Sequence, residues 1–87
     1  MLKGFKQCAD AIVIKGAKAK KIKNFKIDRE EKVPSVIYIY HYGNIVACVN
    51  IELKKILKHP TYWNYSKSTT RLCNDILSYF NGYTVLN

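Results

Sequence analysis

Six lysines fall between residues 15 and 26: Lys15, Lys18, Lys20, Lys21, Lys23 and Lys26. No acid interrupts them; Asp28, Glu30 and Glu31 come only afterwards. A run of ammonium groups short of carboxylates makes a positive field that attracts phosphates. The plainer reading is a solvated surface that keeps a small protein dissolved. Thirteen of the fifteen basic residues are Lys, the others being Arg29 and Arg71, against 6 acids and a net charge of +9. Lysine is a hydrated point charge, whereas arginine grips bases and phosphates bidentately. The field therefore suits tracking of a nucleic-acid backbone more than reading of bases.

Tyr38, Tyr40 and Tyr42 are the second group with chemistry to offer. In an extended chain they point one way, and Ile37, Ile39 and His41 the other. If a helix covers the isoleucines, the tyrosines lie on an open face, where rings beside lysines stack unpaired bases. The competing expectations are a sheet covered on both sides or tyrosines packed in cross-strand pairs. A third is a protein interface, where Tyr and Trp are enriched. Tyr62, Trp63 and Tyr65 either extend that interface or cap a small core. A third group is Lys67 and Arg71, with Ser66, Ser68, Thr69 and Thr70, at the start of a helix. Free N–H groups and the helix dipole favour an anion there; ordinary capping is the plainer reading.

Enzyme chemistry finds little support. The chain has no GxGxxG, P-loop, HExxH or GxSxG pattern. Its carboxylates are scattered, whereas a metal nuclease clusters them around an ion. Glu30-Glu31 reads as a solvated connector, His41 as a packed strand histidine and Cys73 as core. Cys8, Cys48 and Cys73 are odd in number and form no CxxC pair. Neither a metal site nor a cofactor is expected, and the thiols read as reduced in a cytoplasmic protein. Lys3, Lys6 and Asp10 interrupt any signal-type apolar run near the start. No apolar run approaches the roughly 20 residues that span a bilayer, so no membrane partner is expected.

These groups must be positioned by a single domain, residues 1–87, with a small core. The ribbon Val36–Asn50 is rich in Val, Ile and Tyr and predicts a hairpin turning at Gly43-Asn44. Ile45, Ala47, Val49 and Ile51 are then expected on one face, opposite Val46, Cys48 and Asn50. Ile22–Asp28 reads as a strand with a basic outer face. Residues 2–13 carry Leu2, Phe5, Cys8 or Ala9, Ile12 and Val13 at helical spacing, although Ala11–Lys15 also suits a strand. Between 52 and 59, Leu53, Ile56 and Leu57 fit a short helix or, preferably, a turn and an edge strand guarded by lysines. Thr69, Leu72, Cys73, Ile76, Leu77 and Phe80 mark the best helix, stopped by Asn81-Gly82. Tyr83–Leu86 suits a last extended segment. The expected fold is α+β. An antiparallel β-meander of three to four strands carries the C-terminal helix on one face, and a short N-terminal helix accompanies it.

Tyr42-Gly43-Asn44-Ile45-Val46-Ala47, followed by Tyr62-Trp63-Asn64-Tyr65-Ser66-Lys67-Ser68-Thr69-Thr70 and the helix through Asn74 and Leu77, resembles small proteins of bacteriophages and other mobile elements. Those show a Y-x-N/T-x-I-A hairpin and a Y-S-x-x-T-T helix start. The resemblance covers residues 38–78, leaves out the lysine segment and carries no active site. It implies a phage-type accessory protein acting in the cytoplasm of a bacterial host, and it supports the strand at 54–58. The combined expectation is a basic, non-enzymatic protein that engages nucleic acid or a host ribonucleoprotein or defence complex. Lys18, Lys20, Lys21, Lys23, Lys26, Lys67 and Arg71 would meet phosphates; Tyr38, Tyr40, Tyr42 and Trp63 would stack or pack. The alternative is an inhibitor of host defence, of the anti-CRISPR type, acting through an aromatic protein interface. A homodimer through an open sheet edge would fit that alternative.

Overall fold

A computed structural model describes residues 4–86. Helix α1 spans Phe5–Val13 and is followed by β1 (Ala19–Ile22), β2 (Phe25–Arg29), β3 (Val36–His41), β4 (Asn44–Asn50) and β5 (Lys55–Lys58). Helix α2 (Lys67–Tyr79) and β6 (Thr84–Leu86) complete the chain. The strands form one six-stranded sheet in sequence order. β1 to β5 are an antiparallel meander; β6 returns parallel to β5 after α2. The α+β class and the meander agree with expectation. The sheet is larger than the three to four strands expected, and it is mixed.

The extra strands have physical reasons. β1 lies inside the lysine run, where charge hides the strand signal. Lys23 takes φ 49 at a tight turn after Ile22, which pairs with Phe25. Lysines on an edge strand discourage further pairing. β6 is three residues long, all exposed, and is placed by α2 rather than by a hairpin. The stretch after Ile51 turns and 55–58 is a strand, as preferred, but an interior one rather than the expected edge, because β6 pairs on its outer side.

The central hairpin differs from expectation in two ways. Its turn residues are Tyr42 and Gly43, with φ of 51 and 82, and Asn44 already pairs with His41. Two successive positive φ angles match the twist of the flanking strands. Asn24 makes this tolerable for a tyrosine. Its carbonyl accepts from the Tyr42 N–H at 2.7 Å, and its Nδ2 donates to the Tyr42 hydroxyl at 2.9 Å. Further on, Tyr40 pairs with Ile45 but Ile39 pairs with Ala47, so Val46 is an extra, bulged residue. Ile45 therefore joins the tyrosine side, and Val46 and Ala47 are both buried.

Both helices lie on one face of the sheet. Phe5 sits between Phe25 and Tyr79, at centroid distances of 5.8 and 6.1 Å. The Tyr79 hydroxyl donates to Asp10 Oδ1 at 2.5 Å, joining α2 to α1. Leu72, Cys73 and Ile76 from α2, and Phe80 just after it, join Ile27, Ile37, Ile39, Val46, Val49 and Ile56 in one core. Leu77, expected on that apolar stripe, is 38% exposed instead. Ser66 caps α2, its hydroxyl accepting from the Thr69 N–H at 3.2 Å. At the C-terminal end of α1, the Arg29 guanidinium donates to the carbonyls of Ile12, Ala17 and Pro34. A cation there meets the negative end of the helix dipole. The expected helix from residue 2 begins at Phe5, and Leu2 lies outside the described residues.

Candidate nucleic-acid interface

Residues paired across a sheet share a face. On the face without helices, one row is Lys21, Lys26, Tyr40 and Ile45. The next is Ala19, Asp28, Tyr38, Cys48, Leu57 and Leu86. Tyr38 and Tyr40 thus stand on the open face, each half-buried.

The two rings have different surroundings. The Lys26 ammonium stands 4.5 Å from the Tyr40 ring centroid and 3.0 Å from Asp28 Oδ2. Lys21 pairs with Lys26 beside it. Tyr38 donates its hydroxyl to Glu30 Oε2 at 2.9 Å. That bond raises the Tyr38 pKa; the Lys32 N–H, then the Tyr38 hydroxyl, hold Glu30 below its usual value. Glu30 is therefore engaged, not merely a solvated connector. Tyr40 offers a ring beside cations; Tyr38 offers one beside carboxylates.

The five lysines expected to act together are divided. Lys21 and Lys26 share the open face, and Lys23 stands on the turn at one end of it. Lys20 pairs with Ile27 and so belongs to the helix side. Lys18 precedes the far end of β1, where its carbonyl accepts from the Arg29 N–H at 2.7 Å. Trp63 is not with the tyrosines either. It is half-buried against the core on the helix side, its ring centroid 6.0 Å from the Lys58 ammonium. Tyr42 belongs to the turn end, not to the face.

That end is where α2 begins. One cleft is lined by Ile22, Lys23, Asn24, Phe25, His41, Tyr42 and Ser68. Its neighbour shares His41 and Tyr42 and adds Asn44, Val46, Tyr62, Tyr65, Ser66 and Thr69. Lys67 and Arg71 are exposed on the first turns of α2, next in sequence to these serines and threonines. His41 is buried, and its Nδ1 lies 2.8 Å from Thr69 Oγ1, which in turn lies 3.0 Å from Ser66 Oγ. Burial pushes the His41 pKa down. This chain of polar groups ties the helix start to β3, and it agrees with the packed-histidine reading. Sequence reasoning gave Tyr62 and Tyr65 no part of their own in such a cleft. The signal was their spacing around Asn64, which takes φ 59.

Cys8 and Cys73 are buried and Cys48 is half-buried, and burial raises all three thiol pKa values. Among the described residues no group of three His, Cys, Asp or Glu is placed to hold a metal, and no helix is long and apolar enough to cross a membrane. Compared with known proteins, the chain matches no family model, no curated protein and no solved structure.

Proposed function

We propose that this chain is a small, basic, non-enzymatic binding protein of phage or mobile-element type that takes up single-stranded nucleic acid, free or within a host ribonucleoprotein. One observation carries the reading: a sheet face without helices on which Tyr40 lies beneath Lys26, with Lys21 on the far side of Lys26 in the next strand. An aromatic ring next to a cationic track is what stacks a base while its phosphates are neutralised. Glu30, bonded to Tyr38, repels phosphates from that side, while Asp28 is engaged in its ion pair with Lys26. The strand's path therefore runs along Lys21, Lys26 and Tyr40 towards Lys23 at the turn end.

Fluorescence anisotropy of labelled single- and double-stranded DNA and RNA at several salt concentrations tests this. The expected result is a single-strand preference and an affinity that falls linearly in log salt. Replacing Lys21, Lys23 and Lys26 together by Glu should abolish binding. Unchanged affinity in that variant would overturn the assignment.

A second reading is an inhibitor of host defence that acts through a protein interface. It rests on the β6 edge, where Leu57 (47% exposed) and Leu86 (41%) are neighbours on the open face. Thr84-Val85-Leu86 carries no charge, unlike Lys20-Lys21 at the opposite edge. A homodimer through β6 is the assembly such an edge favours. Sedimentation velocity across a concentration series checks it. A monomer at all concentrations, together with no nuclease-resistant partner from host lysate, would remove this reading.

A further inference from the structure

We propose that the cleft between the Tyr42 turn and the Tyr62–Tyr65 loop is a pocket for one unpaired nucleobase, with the adjoining phosphate held by Lys23. The inference rests on the nucleic-acid reading and adds to it a second, end-on site.

Four rings surround the cleft: His41, Tyr42, Tyr62 and Tyr65. His41 and Tyr42 lie 4.5 Å apart between centroids, and Tyr62 and Tyr65 lie 5.5 Å apart. Tyr42 is 64% and Tyr65 68% exposed, so neither ring serves the core. Exposed rings on either side of a gap offer two surfaces to a planar ligand. The cleft holds about 230 Å³. That falls below the roughly 300–1,000 Å³ of pockets for drug-sized ligands, and it suits one ring system. Polar selection is available from the Asn44 amide on its lining. An amide of this kind pairs with a base edge.

The charge arrangement identifies the occupant further. Tyr42 is also a wall of the neighbouring cleft of about 210 Å³, whose only charged lining residue among those described is Lys23. No carboxylate lines either cleft. A flat apolar ring on one side of Tyr42 and an anion on the other is the chemistry of a nucleotide. The backbone supports the same place. Tyr42 itself has φ 51, and Asn64, just before Tyr65, has φ 59. The first angle belongs to the hairpin turn and the second to a residue type that accepts it; together they set where the two exposed rings leave the backbone.

The test uses the full chain, labelled with ¹⁵N and titrated into the millimolar range with adenosine and uridine monophosphates. A mononucleotide is too short to read the lysine track of the open face. Saturable amide shifts are expected at Tyr42, Asn44, Tyr65 and Ser66, with Lys26 and Tyr40 unmoved. Tyr65→Ala should weaken binding about tenfold. Tyr42→Asn keeps a residue that accepts positive φ and should do the same. Ribose 5-phosphate, which lacks the base, should leave Tyr65 and Ser66 unshifted. The pocket is overturned if mononucleotides give no saturable shifts, if ribose 5-phosphate reproduces them, or if they fall on Lys26 and Tyr40. A single-stranded oligonucleotide run alongside separates the failures. If it binds in a Lys26-dependent way while the cleft stays silent, the open-face reading survives alone; if it does not bind either, both fall.

Discussion

On the helix side of the sheet, Ile27, Ile37, Ile39 and Val49 are fully buried, while on the other side their neighbours Lys26, Tyr38, Tyr40 and Cys48 stay partly in water. The same strands supply both sets, one residue apart. The covered face is mostly apolar: branched aliphatic side chains and Phe25 meet two helices, with His41 at the turn end. The open face is graded, with cations and Tyr40 near the hairpin turns, carboxylates around Tyr38, and bare leucines at β6. Apolar character is what packing requires, since any apolar group of the right volume serves. Gradation serves recognition, since each location offers a different chemistry. The two faces should therefore respond to substitution in separate ways.

The largest effect should come from the covered face. Ile39→Ala is expected to cost about 2–5 kcal/mol, through lost burial and the cavity left behind. Urea denaturation followed by circular dichroism would measure it. A loss below about 1 kcal/mol would mean that this face is not the core and would break the comparison. Next comes Arg29→Met, which leaves three backbone carbonyls without their donor. Charged hydrogen bonds of this kind suggest a loss of about 2 kcal/mol, seen in the same assay. If stability were unchanged, the stitching of α1 to β2 would contribute nothing.

Tyr40→Ala sharpens the contrast. Folding should change by less than about 1 kcal/mol, while affinity for a single-stranded oligonucleotide should fall by about 1–3 kcal/mol. Equal losses of stability and affinity would assign Tyr40 to the core instead. Smallest is a pH effect at the join between the faces. His41 has a folded pKa below its ordinary value of 6.5 because it is buried. The unfolded chain then takes up a proton before the folded one does. Its contribution is intact above about 6.5 and is lost as pH falls from there towards the folded pKa. The midpoint of thermal unfolding should drop in that window, and less so in His41→Gln. Identical pH profiles for the two proteins would remove His41 from the account.

Much of this was legible in the residues. The α2 stripe and its Ser66 cap follow from helical spacing and capping chemistry. The strands β3 and β4 follow from alternation. Other features were hidden because they depend on partners. Nothing local to Val46 announces a bulge; it arises where the Tyr42-Gly43 turn and the packing of Ala47 demand different registers. The turn itself shifted by one residue because Asn24, 18 positions away, supports a tyrosine at positive φ. The lysine segment read as a single field, yet folding β1 against β2 sent Lys20 and Lys21 to opposite faces. Trp63 and the two tyrosines beside it were grouped by sequence. In the fold the tryptophan closes the core while Tyr62 and Tyr65 face the cleft.

The parallel pairing of β5 with β6 has a consequence for the order of assembly. In the finished sheet β5 is an interior strand, but its outer partner is made only after α2. While the chain is being synthesised, Ile56 therefore sits on a bare edge for as long as it takes to add about 30 more residues, one to two seconds or more at the usual pace of translation. The sequence across that temporary edge is Lys55-Ile56-Leu57-Lys58. Its flanking lysines are the kind of residue that keeps a nascent strand from pairing with the wrong neighbour.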